Sequence, residues 1–406
     1  MEMRQIRGMQ IARAKTKMIR QVKDGWLVQS QSDKGTAYRV NEEFSCTCPD
    51  SQMHKTTCKH AYAVRYYLKT EIDTPQGKVI KEKRLTYPQA WSAYRKAQTS
   101  EVKMFDELLS DLVESIDEPA QDMGRPRVPL KSQVYCAIQK VYSQLSSRRA
   151  YSLYKHAESR EQIGAAPSYN VVNVVLNRAD LTPILQDLIT LSALPLKAVE
   201  TDFAIDSSGY RTTSFGQYSE EKYDLQRQHK WLKAHICTGV KTNVITAVEI
   251  TDENGADCPQ FVPLVNTTHE GGFNMREVSA DKAYPSRDNY TALEKIGAKG
   301  YIPFKSKSTG KQRGSPAWRK AFLYFQLNQD EFYQHYHKRS NVESTNNMVK
   351  AKFGDKVRGK NRVAQENELL CKFIAHNIVV LIHESFELGI KLDFGVGAKG
   401  VKALPS

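Results

Sequence analysis

Residues 334–354 read QHYHKRSNVESTNNMVKAKFG. At about 100° per residue, Tyr336, Arg339, Glu343 and Lys350 fall on one narrow stripe of a helix. The spacing predicts a long helix that begins near 315 or later and runs to about 350. A stripe that is aromatic, cationic, anionic and cationic makes a poor core seam. It makes a good site surface, with a carboxylate for a hard cation and basic groups beside it for phosphate.

The chain before this helix alternates like strands. KAVETDFAIDSSGY (197–210) reads as a strand ending near Asp206, and KWLKAHICTGV (230–240) and NVITAVEITD (243–252) as two more joined by a turn at 241–243. A helical stretch around Pro259–Val265 follows. REVSADKAY (276–284) is a strand that delivers Asp281, SRDNYTALEKIG (286–297) an amphipathic helix, and KGYIPF (299–304) a fifth strand. The order βββ-α-β-α-β-α is that of an α/β, RNase H-like mixed sheet, since two crossover helices imply parallel neighbours. Strand ends bring Asp206 and Asp281 to the sheet rim. Asp202 shares a strand face with Asp206 and competes with it. Lys233 and His235 share a face of the second strand, and a structural role suits them better than a chemical one. Trp318-Arg319 reads as a packed tryptophan, with base stacking as the alternative. Asp224 and Asp288 read as exposed charges. Phe373, Ile374, Ile378, Val379 and Ile382 form an apolar helix that closes the domain.

Tyr336-x2-Arg339-x3-Glu343-x6-Lys350 resembles the Tyr-Arg-Glu-Lys signature of a large group of insertion-sequence DDE transposases. Ile205-Asp206-Ser207-Ser208 is similar to that family's first-Asp strand, and Ala280-Asp281-Lys282-Ala283-Tyr284 to its second. The resemblance covers about 198–385. Between Phe304 and Tyr336 there is no room for the large β insertion that some relatives carry. The resemblance implies that Asp206, Asp281 and Glu343 hold two Mg²⁺ ions, or Mn²⁺ in their place, about 3.5–4 Å apart. It implies that Arg339 and Lys350 grip phosphates near the cut with Tyr336 beside them, and that Lys350, Lys352, Lys356, Arg358, Lys360 and Arg362 track the DNA backbone. The activity implied is cleavage of the element's ends and their joining to target double-stranded DNA. A catalytically silent DNA-binding protein, or a nuclease that cuts without joining, are the alternatives. Two DNA ends must be brought together, so a homodimer in a synaptic complex is expected.

Near the other end, 24–40 (DGWLVQSQSDKGTAYRV) alternates apolar and polar around a Ser-Asp-Lys-Gly turn, and Trp26 and Val28, then Tyr38 and Val40, read as a β-hairpin. Cys46-x-Cys48, then Cys58-x-His60, supplies three thiolates and an imidazole, a closed tetrahedral shell for one structural Zn²⁺. Cys58 and His60 open a helix whose Ala61, Val64, Tyr67 and Leu68 face inward. His54 is a substitute ligand of lower standing. The pattern resembles the SWIM zinc finger over about 24–70, a family whose members bind DNA or protein partners. The surrounding Arg13, Lys15, Lys17, Arg20, Lys23, Lys55, Lys59 and Arg65 favour DNA.

Between the two, 86–118 reads as a helix with Leu108, Leu109, Leu112, Val113 and Ile116 on one face. Residues 118–131 read as a linker whose Gly-Arg-Pro-Arg run would suit a minor groove. Residues 131–190 read as short helices, either a helix-turn-helix DNA reader or a plain helical domain. The domains expected are 1–75, 76–195, 196–390 and a flexible tail 391–406. The formal charge is +14 over 406 residues, split as +10 over 1–100, −2 and −3 over the next two hundreds, and +9 over 301–406. Two basic ends suggest a polyanion held at two places. No run of 18 apolar residues and no secretory signal is present, so seven cysteines argue for a reducing compartment, a prokaryotic cytoplasm with association to the nucleoid.

Overall fold

The computed structural model describes residues 3–13, 18–22, 25–31, 36–54, 57–74, 77–82, 90–121, 124, 126–212 and 231–394. Lys15, Lys17, Lys23, Lys55, Arg125, Asp224, the 32–35 turn and 395–406 lie outside them, as does the side chain of Arg13. The chain forms two compact units, 1–91 and 92–406.

The first unit begins with α1 (Met3–Arg13) and three antiparallel strands, β1 (Ile19–Val22), β2 (Gly25–Gln29) and β3 (Ala37–Val40). The expected hairpin is β2–β3, with Trp26 opposite Val40 and Val28 opposite Tyr38. Gly25 opens β2 with φ +136°, and a Cβ there would meet the Val40 carbonyl at 2.1 Å, so only glycine fits. Two short helices follow, α2 (Pro49–His54) and α3 (Lys59–Leu68), then a two-stranded ribbon of β4 (Lys69–Thr74) and β5 (Gly77–Glu82). Ala61, Ala63 and Val64 of α3 close on Ile11, Ile19, Trp26, Val28 and Val40 to make a small core of its own.

The second unit opens with helices α4 (Trp91–Val113), α5 (Leu130–Ser143), α6 (Ser147–Ser159), α7 (Tyr169–Leu176) and α8 (Leu181–Ala193). The stretch before α5 is tied down at its start: the Glu118 carboxylate accepts the backbone N–H groups of Leu130 and Lys131 at 2.7 and 2.9 Å. Next come β6 (Asp202–Arg211), β7 (Trp231–Gly239), β8 (Ile245–Asp252), α9 (Phe261–Glu270), β9 (Glu277–Ala280), α10 (Arg287–Lys295) and β10 (Lys299–Tyr301). They build a five-stranded sheet of order β10-β9-β6-β7-β8. The β6–β7–β8 meander is antiparallel, and β9 and β10 add parallel to β6 after the crossovers through α9 and α10. That is the RNase H-like arrangement the sequence pattern predicts.

The chain then runs through α11 (Pro316–Leu327), α12 (Gln329–Tyr336), a 3₁₀ turn (His337–Arg339) and α13 (Ser340–Phe353) to α14 (Arg362–Glu387). The expected single helix from near 315 to 350 is therefore broken twice. Asn328 leaves the helical region at φ −128°, ψ 50°, as a side chain that competes for backbone hydrogen bonds tends to do. The 3₁₀ turn coincides with Lys338 and Arg339, each tied to the sheet below. A second difference is that β6 continues to Arg211, past Asp206.

α14 is long and apolar enough to cross a membrane, but here it is the core of the unit. Phe373, Ile374, Ile378 and Ile382 are buried along it. Asn377 in its middle is fully buried and bonds both the N–H and the carbonyl of Ile245 at the start of β8, plus the Ile189 carbonyl of α8. Four satisfied bonds, counting Ser192 Oγ, make a polar residue tolerable there. The helices of 92–196 and the sheet share one apolar core, and Phe394 packs into it from the expected tail.

Candidate active site and zinc centre

Parallel pairing positions the first two carboxylates. Register runs from Asp202 opposite Glu277 to Ile205 opposite Ala280, so Asp206 and Asp281 are the next residue on each strand, side by side where the ladder ends. Asp281 starts a tight turn, its carboxylate accepting the Ala283 N–H at 2.7 Å. The third carboxylate comes from above. Arg339 donates to Asp206 at 2.8 Å and to Glu343 on the next helical turn, so one guanidinium joins α13 to β6. Tyr336 lies under the same guanidinium, 6.0 Å from ring centroid to Cζ. Lys350 reaches β6 two residues further on, with Nζ 2.7 Å from Ser208 Oγ and 5.1 Å from the Tyr210 ring centroid. The stripe read from the sequence thus faces β6, despite the broken helix.

The competing Asp202 is placed elsewhere. It lies four residues back on β6, about 13 Å at strand rise, where Lys338 bonds it at 2.6 Å and Glu277 at 2.7 Å. His335 adds a 2.9 Å contact to Glu277 and stacks on Tyr301. Lys233 and His235 sit on the opposite face of the meander from Asp206. Lys233 pairs with Asp257 at 2.8 Å, and fully buried His235 lies between Asp257 and Thr251. Trp318 is buried, its indole N–H bonded to the Thr309 carbonyl at 2.8 Å and its ring covered by Arg287. Asp288 is exposed in the first turn of α10.

In the first unit the four donors Cys46, Cys48, Cys58 and His60 are all buried, with their ligand atoms within 4.8 Å of one another. His60 Nδ1 is 3.9 Å from the sulfurs of both Cys46 and Cys58. The edge of a tetrahedron with Zn–S bonds of about 2.3 Å is roughly 3.8 Å, so this set fits zinc with little contraction. His54 is exposed at the end of α2, apart from the cluster. Arg20 and Arg65 are exposed, and the Arg65 guanidinium lies 4.8 Å from the Phe44 ring centroid.

The family model described as the transposase DDE domain matches residues 197–378, and that described as the SWIM zinc finger matches residues 33–69. The chain carries a DDE transposase domain and an N-terminal SWIM zinc finger. No solved structure matches it. The Cys₃His cluster fits a structural zinc, and the DDE domain implies divalent metal ions, DNA binding and a phosphodiester-cleaving enzyme.

The electrostatics of the DDE domain agree with a cation site. Burial pushes the Asp206 carboxyl up, and the neighbouring Asp281 and Glu343 push the same way against the Ser207 N–H and Arg339. A carboxyl so raised is one whose anion lacks a full counter-charge. Carboxylate oxygens are hard donors, of the kind that suits a hard divalent ion. In the zinc finger the metal-free thiols divide. Hydrogen bonds led by Cys46 pull Cys58 down to about 3, while its bond to Cys58 and burial push Cys46 up.

Several contacts escaped the sequence reading. Lys338 was passed over beside Arg339, although its neighbour Asp202 was weighed. Glu277 and Asp257 gave no signal, because their partners lie 61 and 24 residues away.

Proposed function

We propose that this protein cuts the ends of an insertion sequence and joins them to target DNA, with Asp206, Asp281 and Glu343 as the metal-holding carboxylates. The observation that carries the reading is the convergence of Asp281 and Glu343 on Asp206, inside the matched domain, from three separate elements. When bound, two Mg²⁺ ions would supply Lewis acidity and lower the pKa of attacking water. In the first step the water oxygen bonds to phosphorus and the P–O3′ bond breaks, leaving a 3′-hydroxyl. In the second that 3′-oxygen bonds to the phosphorus of a target phosphodiester as the target's own P–O3′ bond breaks; the attacking hydroxyl gives up its proton to solvent, and the departing target 3′-oxygen takes one up. Arg339 and Lys350 would hold phosphates beside the reacting one, as bidentate and point-charge donors respectively. Tyr336 orients Arg339 through its ring face. The zinc finger would add a second grip, on DNA, from its basic surface, and the active form would be a dimer holding both ends.

The test uses the purified chain, Mg²⁺ and a labelled terminal-repeat duplex taken from DNA flanking the gene. Cleavage followed by joining supports the proposal. Binding without cleavage would make the chain a silent DNA-binding protein, and cleavage without joining a nuclease. Cutting that survives Glu343→Gln would overturn the residue assignment.

A further inference from the structure

A cavity of about 70 Å³ opens beside the C-terminal end of α13. Three elements supply cations to its wall: Lys140 from α5, Lys356 and Arg358 from the loop after α13, and Lys372 from α14. Glu368 is the one carboxylate lining it, and its Oε2 is engaged by the backbone N–H groups of Arg358 and Gly359 at 2.8 Å each. Lys372 is only 2% exposed, yet its partners are the Gly354 and Lys356 carbonyls at 2.9 and 2.6 Å. An ammonium has three donors, so two carbonyls leave one N–H over. Burial pushes Lys372 down to about 8 and also lowers Lys140; Glu368 opposes this in both and Asp355 in Lys372, while Arg358, and at Lys372 also Lys356, adds repulsion. A buried ammonium among like charges is costly unless an anion offsets it.

The dimensions admit such an anion. The cavity is well above the roughly 10–15 Å³ that one water needs, so a tetrahedral oxyanion has room. The loop is stitched to the end of β6: Arg211 N–H donates to the Asp355 carbonyl and Val357 N–H to the Arg211 carbonyl, both at 2.9 Å. Arg211 is five residues beyond Asp206 on one strand, about 16 Å at strand rise.

We propose that this cavity seats one backbone phosphate of duplex DNA, apart from the phosphodiester at the carboxylates. The assignment rests on the DNA-cutting reading above. It adds Lys140 and Lys372, which no basic run in the sequence links, to the DNA-holding surface.

The experiment measures affinity of the full chain for a terminal-repeat duplex against salt, without divalent metal, so no cleavage enters. Each phosphate neutralised contributes about 0.9 to the slope of log K against log salt. Lys140→Gln with Arg358→Gln should lower the slope by about that amount. Removing two exposed charges elsewhere, Lys320→Gln with Lys391→Gln, should leave it unchanged. Lys372→Met provides a second reading with the same expected loss, and an unchanged melting profile certifies folding of each variant. Equal slopes for wild type and both pocket variants would overturn the proposal, as would equal losses from the control pair. Saturable binding of inorganic phosphate that is lost in the pocket variants while the duplex slope stays put would also overturn it, as a free-phosphate site. If the slope falls as expected but the chain never cleaves DNA with Mg²⁺, the pocket stands and the transposition reading falls.

Discussion

The two metal-type centres are built in opposite ways. The zinc finger takes its four donors from 46–60, a single short stretch, and three of them are part of the unit's apolar core. The proposed DDE site takes its carboxylates from positions 206, 281 and 343, and none belongs to the large core of the second unit. Donors inside a small core make the metal a part of folding. Donors on the rim of a completed core leave folding to apolar burial and free the site for chemistry.

The largest expected effect tests the second half of that contrast. Glu343→Gln should lower cleavage on the order of 10³-fold or more, because several kcal/mol of transition-state stabilisation goes with a lost metal ligand. The melting temperature should hardly move, since Glu343 is exposed and its one described partner, Arg339, keeps Asp206. A variant that melts much earlier would show the carboxylate site to be structural and erase the contrast.

Zinc removal tests the first half. Chelation should unfold 18–68 while 92–394 stays protected, because structural zinc brings about 10–16 kcal/mol to domains of this size. Hydrogen exchange read separately over the two stretches is the measurement. Simultaneous loss of protection in both would mean the cores are not independent.

The same contrast explains what could be read from sequence. The Cys46–His60 shell and the 24–40 hairpin are local, and spacing alone revealed the four donors and the two strands. The succession of strands and helices and the placing of Asp206 and Asp281 at the sheet rim were legible because alternating patterns and helix periods fix a sheet of this kind. What was not legible depends on contacts between distant residues. Nothing in HYHKRS signals that Lys338 will find Asp202 and Glu277 and tighten the helix into a 3₁₀ turn. Nor does a lysine within the apolar stretch of α14 disclose that Lys140 and Arg358 share its cavity. Asp202 and Asp206 look alike as sequence and are separated only by the partners that the fold gives them.

That separation is itself testable. Burial acts to raise Glu277, but hydrogen bonds from Lys338 and His335 outweigh it and hold the carboxyl below its ordinary value. A lowered carboxyl contributes stability above the ordinary glutamate range and loses it as pH falls through the folded value. Lys338→Met should cost about 1.5–3 kcal/mol at neutral pH, the worth of charge-assisted bonds lost. It should also flatten the acid side of the stability profile. Cleavage should fall less than in Glu343→Gln and recover with Lys338→Arg, as expected of a residue that positions the 3₁₀ turn. A cleavage loss as deep as that of Glu343→Gln would move Asp202 into the reacting site.

The smallest effect asks whether a raised carboxyl is by itself a mark of chemistry. Glu384 on α14 is pushed up to about 7 by burial, with Glu387 and Glu200 adding and Lys241 opposing. Among the described residues no arginine bonds it as Arg339 bonds Asp206, and Glu200 beside it is satisfied by Thr242 and the Lys241 N–H. A raised carboxyl is at no disadvantage below pH 4.5, and its destabilisation builds as pH rises from there to about 7. Glu384→Gln should therefore match wild type in acid and gain about 1–2 kcal/mol above pH 7, a figure discounted for partial exposure. Cleavage should be untouched. Equal stability at pH 5 and pH 8 would mean the carboxyl is not raised. A cleavage loss would mean that a buried carboxylate with no metal-holding neighbours still serves the reaction, and the line drawn between core and rim would fail at that residue.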